Sequence, residues 1–239
     1  MRILITNDDG ILAPALPHLV EWAKKLGEVM VVAPKVEQSG KSHAIDFTRP
    51  IEIKRVDLFG DVVAYSMDST PADCVRFAVL GLKEKFDLVL SGINRGFNLG
   101  RDIVYSGTIG AIFEAARLDI KGVALSTDPH SFTDGVNALD TVWNFFEKNK
   151  LLEQNMLYNV NIPLQYKAIN VTRQGGIYFT DEFIYKGNDI YEQYGEMFKA
   201  DTRDISFDVD SVKAGYLSIT PLTAEKTNLE LYEKLKGAH

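Results

Sequence analysis

The sequence predicts an α/β protein: a largely parallel sheet flanked by helices, with a β-hairpin arm toward the C-terminus. Three observations carry that prediction. Residues 2–6 form a short apolar run that breaks into Asn7-Asp8-Asp9-Gly10, a helically spaced stretch follows, and residues 28–33 form a second apolar run. Strand, helix, strand in that rhythm implies parallel strands joined by a crossover helix. Beyond residue 170 the rhythm gives way to a segment dense in aromatics and acids, in which Gly187-Asn188-Asp189 marks a turn between two strand-like runs.

Over 14–26, Leu16, Leu19, Val20, Ala23 and Leu26 share one helical face, with Pro14 suited to a first turn and Gly27 to a C-terminal cap. The strand at 28–33 stops at Pro34. Two strands follow at 51–56 and 62–66 about a Phe59-Gly60-Asp61 turn. A helix is predicted over 71–83, capped by Thr70, with Pro71 near its start and Asp73 in the first turn, where a carboxylate suits the helix dipole. A buried strand at 87–91 opens into a loop from 92 to 106. An alanine-rich helix over 108–118, a strand over 122–126 and an amphipathic helix over 136–149 come next. Residues 156–162 and 215–220 read as strands rejoining the core, and 225–236 as a last helix. Between them, Tyr178, Phe179, Phe183, Tyr185, Tyr191, Tyr194 and Phe198 crowd the hairpin. An arm cannot bury so many rings alone; either a partner subunit covers them or the hairpin folds back on its own domain. The predicted organisation is an α/β core at 1–170, an arm extension for oligomerisation at 171–213, and a closing strand and helix at 214–239 that rejoin the core or a partner subunit.

Composition narrows the function. The chain has 239 residues, 46% hydrophobic and 25% charged, which is a globular balance with room for a core. Its 33 acidic and 26 basic side chains give a net charge of −7, so a stable nucleic-acid complex through a basic face is not expected. Cys74 is the single cysteine, which excludes an internal disulfide and a cysteine-based zinc site and reads as a small core residue. No apolar run approaches a membrane span, and the N-terminal run is too short for a signal-peptide core; the expected location is the cytoplasm. His18, His130 and His239 show no ligand spacing.

Four segments carry chemistry. Asp8 and Asp9 stand side by side at the end of the first strand, where open α/β sheets bind ligands. Adjacent carboxylates repel unless a cation or proton intervenes, and hard divalent cations take such oxygens. An ordinary Asp-Gly turn would account for that segment taken alone. Past the second strand, Ser39 offers a hydroxyl, Gly40 lets a ligand approach the backbone, and His43 is able to move a proton near neutral pH. Ser91 to Gly100 leaves the 87–91 strand, Asn94 in it supplies a neutral carbonyl oxygen suited to Mg²⁺ or Mn²⁺, and there are five glycines from Gly92 to Gly110 inclusive. Ser106, Gly107 and Thr108 open a helix, whose free N–H groups and positive dipole end form a phosphate cradle; simple capping by Ser106 or Thr108 is the plainer reading. Together the four bring a divalent cation beside an anion-binding helix end, which suits metal-assisted phosphoryl hydrolysis.

These stretches resemble the survival protein E (SurE) family of metal-dependent nucleotide phosphatases. The matching residues are Arg2 to Gly10, Val31 to Pro34, Ser39, Gly40, His43, Thr70 to Cys74, Ser91 to Asn98 and Tyr105 to Thr108, then Asn159 to Pro163 and Gly215 to Leu222. The resemblance implies a Rossmann-like core, with an extension that builds a homodimer or homotetramer. It implies one divalent ion per subunit, Mg²⁺ or Mn²⁺, on Asp8, Asp9, Ser39 and Asn94. It implies phosphate or substrate contacts at Gly40, Asn98, Ser106, Gly107 and Thr108. The implied reaction is hydrolysis of nucleoside 5′- and 3′-monophosphates, with short polyphosphate as a further substrate. In that scheme Asp8 or Asp9 orients the attacking water and His43 is the acid for the leaving oxygen. The chain departs from the family pattern at Leu12, where histidine is common, at Ser69, where glycine is common, and at Ile45-Asp46-Phe47.

Two rivals use the same residues. A covalent aspartyl-phosphate on Asp8 would normally come with Asp-x-Asp spacing, which is missing. A nucleotide-sensing module would use the cradle without turnover, yet two adjacent carboxylates are unfavourable beside phosphate without a cation.

Overall fold

The computed structural model describes residues 1–197 and 203–237; Phe198 and His239 lie outside them. The chain builds a nine-stranded sheet with helices on both faces, and a separate two-stranded ribbon. The strands of the sheet are β1 (Arg2–Thr6), β2 (Glu28–Pro34), β3 (Ile53–Val56), β4 (Val63–Met67), β5 (Leu88–Arg95), β6 (Lys121–Thr127), β7 (Leu157–Ile162), β8 (Ile169–Val171) and, later in the chain, β11 (Leu217–Leu222). Their order is β3-β4-β2-β1-β5-β6-β7-β11-β8. The six strands from β4 to β7 run parallel; β3 and β11 are antiparallel to their inner neighbours. From β1 the chain works outward first through β2 and β4, then through β5, β6 and β7. The order therefore reverses at β1 and β5, and a crevice opens outside their carboxyl ends.

Apolar residues on both faces of β1 explain why it is central. Ile3 and Ile5 are fully buried toward α1 (Leu16–Ala23) and α4 (Thr133–Lys148). Leu4 is fully buried on the other face, with Cys74, Val75, Ala111 and Ala115 of α2 (Pro71–Arg76) and α3 (Gly107–Arg117). Each such side chain contributes about 1.5–3 kcal/mol by leaving water. Trp22 ties α1 to α4: its indole N–H donates to Asp140 at 2.8 Å and its ring meets Trp143 edge-on.

Several expected elements differ at their ends. The first helix spans Leu16–Ala23, and Pro17, rather than Pro14, occupies its first turn. Thr70 caps α2 as expected, accepting from Asp73 N–H at 3.1 Å, but after Arg76 the helix widens into a π turn at Phe77–Gly81. Strand β5 runs on to Arg95, so the first part of the expected 92–106 loop is strand, with its pairing to β6 irregular between Ser91 and Asn94. A 3₁₀ turn then occupies Gly100–Tyr105. Sequence reading passes over α5 (Leu151–Gln154), β8 and α6 (Asp208–Lys213), which are too short to show a period.

The hairpin is present as β9 (Phe179–Gly187) and β10 (Ile190–Met197), paired with each other and, among the described residues, with no other strand. It does not fold back on the body: Phe183, Tyr185, Tyr191 and Tyr194 are all exposed. Tyr185 faces Tyr191 across the ribbon at 5.0 Å. The last helix, α7 (Leu229–Leu235), buries none of its residues, and Leu229, Tyr232 and Leu235 are exposed. No helix among the described residues is long and apolar enough to cross a membrane.

Candidate active site at the carboxyl edge of the sheet

The turn after β1 is built by Asn7, whose carboxamide donates to Gly10 O at 2.9 Å and accepts from Gly10 N–H at 3.1 Å. That closed turn sets Asp8 and Asp9 at the reversal point of the sheet. Asp8 is 5% exposed. Its Oδ1 accepts the Thr108 hydroxyl at 2.6 Å and its Oδ2 accepts the Thr108 N–H at 3.2 Å. Burial pushes the Asp8 carboxyl up to about 6, against the pull of Thr108, and the neighbouring charge of Asp9 adds to the rise. Asp9 Oδ2 accepts from Arg95 N–H at 3.2 Å, and burial raises this carboxyl too.

Helix α3 and the 38–44 loop form the facing wall. Ser106 caps α3 by accepting from Ile109 N–H at 3.2 Å, and Gly107 is buried against Asp8. The loop is pinned at three points: Gln38 N–H donates to Asp8 O, Ser42 N–H to Tyr105 O, and Ser42 Oγ to Val104 O. Gly110 lets it lie against α3, because a side chain there would collide with Ser42 O. The result is one cleft, about 230 Å³, into which Asp8, Ser39, Gly40, Asn94, Asn98 and Ser106 all face.

Three expected residues stand differently. Thr108 is fully buried with both donors on Asp8, so here it holds the carboxylate. His43 lines a neighbouring cavity with Phe113, Leu222 and Lys226. Its Nε2 lies 2.8 Å from Glu114 Oε2, and Glu114 also accepts from Arg76 and Arg117. That network anchors the loop to α3. Asp9 opens onto a second adjoining cavity, with Glu37, Arg95 and His130.

The structure also shows partners that the sequence does not announce. Asn98 N–H donates to Asn161 Oδ1 at 2.8 Å, and Asn98 O accepts from both Asn159 and Asn161, at 2.8 and 2.9 Å. Asn98 Nδ2 donates to Ser126 Oγ at 2.8 Å. Two fully buried asparagines in the middle of β7 are a signal in themselves, since buried amides need partners. Arg95 lines both the cleft and the cavity beside Asp9 and supplies the cation nearest that carboxylate.

The oxygens available to a metal are the carboxylates of Asp8 and Asp9, the Ser39 hydroxyl and the Asn94 carbonyl. An all-oxygen set with two carboxylates, one of them buried and resisting ionisation, fits a hard divalent cation. Asn94 Nδ2 donates to Gly96 O at 2.8 Å, which fixes the amide and commits its nitrogen away from any cation. Ser39 Oγ donates to Glu37 at 2.6 Å. Among the described residues no three His, Cys, Asp or Glu side chains gather closely enough to hold a metal, so any such site must recruit neutral oxygens.

A doubly wound sheet with a carboxylate and amide cleft at its reversal point, opposite a helix N-terminus, defines an α/β protein that receives a small ligand at its switch point. Within that class the chain belongs to the survival protein SurE family, whose model matches residues 3–181. It is 39% identical to a 5′-nucleotidase SurE of Natranaerobius thermophilus, over 99% of this chain and 98% of that protein. It is 37% identical to a 5′-nucleotidase SurE of Legionella pneumophila, over 99% and 96%. The crystal structure of the SurE protein from Aquifex aeolicus is similar throughout, with a TM-score of 0.78 at 35% identity over 99% of this chain and 98% of that one.

Proposed function

We propose that this protein is a divalent-metal-dependent phosphatase that hydrolyses nucleoside 5′-monophosphates, and 3′-monophosphates and short polyphosphate as further substrates. The observation that carries the reading is the buried Asp8, gripped by Thr108 and facing Ser39, Asn94, Asn98 and Ser106 across one cleft. The relatives named 5′-nucleotidase SurE support the substrate class.

Asp8, Asp9, Ser39 and Asn94 would hold one Mg²⁺ or Mn²⁺ per subunit. When bound, that ion supplies positive charge beside the phosphoryl oxygens and eases ionisation of a water. The chain's own residues do the rest. The Ser106 hydroxyl and the Gly107 N–H, at the positive end of α3, donate to the phosphate. Gly40 lets the phosphate approach the backbone, and Asn98, locked by Asn159 and Asn161, presents its carboxamide at a fixed place. Asp9, the less buried of the two carboxylates, orients the attacking water or takes its proton. His43 is not assigned the acid's role, because Glu114 engages it elsewhere.

The assembly is read as a homodimer or homotetramer built through the exposed aromatic arm. The chain divides into a catalytic core at 1–170, an extension at 171–213 that bears the arm, and a closing segment at 214–239.

The test is phosphate release from a panel of nucleoside monophosphates and short polyphosphate, with Mg²⁺, with Mn²⁺ and with chelator. Metal-dependent release is expected. Nucleotide binding without release from any substrate would mark a sensor instead.

A further inference from the structure

We infer that the cleft takes the base of its substrate against two aromatic side chains, Tyr105 and Phe179, and that Asp102 positions the second of them; this rests on the nucleotide reading above. Both aromatic residues line the same cleft as Gly40, Asn98 and Ser106. Both keep a substantial part of their surface in water, 59% and 41% exposed. Apolar rings left in water add nothing to folding, whereas covering them with a flat ligand is favourable. They reach the cleft from distant parts of the chain. Tyr105 ends the 3₁₀ turn next to Ser106, and Phe179 is the first residue of β9.

Phe179 is tied to the body through its backbone. Asp102 Oδ2 accepts the N–H of Tyr178 at 2.6 Å and the N–H of Phe179 at 2.7 Å. Tyr178 is buried with Leu99, Val209 and Val212, and its ring meets that of Phe179 edge-on at 4.7 Å. The neighbouring strands of chain are stitched as well: Arg101 N–H donates to Gly176 O, and Gln174 donates to Gly100 O, each at 2.8 Å. Gly100 has φ +58°, and a side chain there would collide with Gly176 O, so only glycine allows this approach. Residues 102–106 thus carry the clamp for Phe179, the ring of Tyr105 and the hydroxyl of Ser106 in one short turn. Stacking on aromatic faces is tolerant of base identity, because every base has a π face. The cleft would accept purines and pyrimidines, with a preference for the larger purine surface.

The test compares a purine nucleoside monophosphate with inorganic phosphate, which has no base. Phe179→Leu and Tyr105→Leu are each expected to raise KM for the nucleotide about tenfold, while the inhibition constant for inorganic phosphate moves less than about twofold. Asp102→Ala, which leaves both rings in the chain but frees the backbone of Tyr178 and Phe179, is expected to show the same split, and Phe179→Tyr to restore the nucleotide KM. Equal losses for nucleotide and phosphate, or an unchanged nucleotide KM in both leucine variants, would overturn the stacking role. A wild-type enzyme that releases no phosphate from any nucleotide would fail the nucleotidase reading instead, which a panel run beforehand separates.

Discussion

Thr108 spends both of its donors on Asp8, the hydroxyl on one carboxylate oxygen at 2.6 Å and the main-chain N–H on the other at 3.2 Å. The first turn of α3 therefore sets the angle at which Asp8 enters the cleft. Thr108→Val keeps the shape and removes one donor. A hydrogen bond to a buried charged group is worth about 1.5–3 kcal/mol, so the melting temperature should fall by about 5 °C. Cation affinity, followed by calorimetric titration, should weaken with it. An unaltered melting temperature and cation affinity would show the bond to be idle.

Asp8→Asn changes charge without changing size. The variant is expected to fold, by its circular dichroism, and to release no phosphate at any Mg²⁺ or Mn²⁺ concentration. Wild-type turnover in this variant would remove Asp8 from the cation site.

Asn161 satisfies both backbone groups of Asn98 from a fully buried position. Asn161→Ala strands the Asn98 N–H and leaves the Asn98 carbonyl to Asn159 alone. The expected cost is about 1–3 kcal/mol in urea unfolding, with a loss of kcat/KM that Ser126→Ala, which touches only the side chain of Asn98, reproduces in part. Full activity in Asn161→Ala would show that Asn98 needs no such support.

Glu114 gives a pH signature. Burial alone would raise this carboxyl, but His43, Arg117 and Arg76 outweigh burial and hold it at about 2. A carboxyl whose folded value lies below its ordinary 4.5 contributes stability that is complete above 4.5 and lost as the pH falls toward 2. Glu114→Gln should be less stable than wild type at neutral pH and should lose less on acidification. Urea midpoints at about pH 7 and pH 3 measure this; parallel acid limbs for the two proteins would contradict it.

Replacing β9 and β10, residues 179–197, with a short Gly-Ser link should leave a folded body of smaller assembled mass in light scattering. A truncated protein that keeps the full-length assembly would move the interface elsewhere, with α7 the next candidate by its exposed Leu229, Tyr232 and Leu235.

The parts of this molecule that sequence exposes are those with a local cause. Apolar runs mark β1, β2 and β5 because their residues are buried on both faces, and the Gly-Asn-Asp turn marks the ribbon because its strands pair only with each other. The site's carboxylate and glycine segments are visible because core packing does not ask for them. The contacts that sequence leaves hidden are long-range. Nothing within the Ser106-Gly107-Thr108 segment says that Thr108 turns inward to residue 8, a hundred positions away. Nothing beside His43 announces Glu114. Asn159 and Asn161 look like strand residues until β7 is laid beside β6 and the loop after β5. Short elements such as α6 fall below the length at which a period declares itself.

The arm leaves the body after β8 and returns before β11, and those two strands are themselves neighbours in the sheet. Arg173 and Asp208 meet across the two roots, where Asp208 N–H donates to Arg173 O at 2.9 Å. The excursion thus begins and ends at one spot and leaves every register of the sheet unaltered. A ribbon of another length or with other rings would leave the strand pairing of the sheet as it is. With the subunit contact on the ribbon, as proposed above, assembly and cleft are joined at Phe179, which begins β9 and lines the cleft.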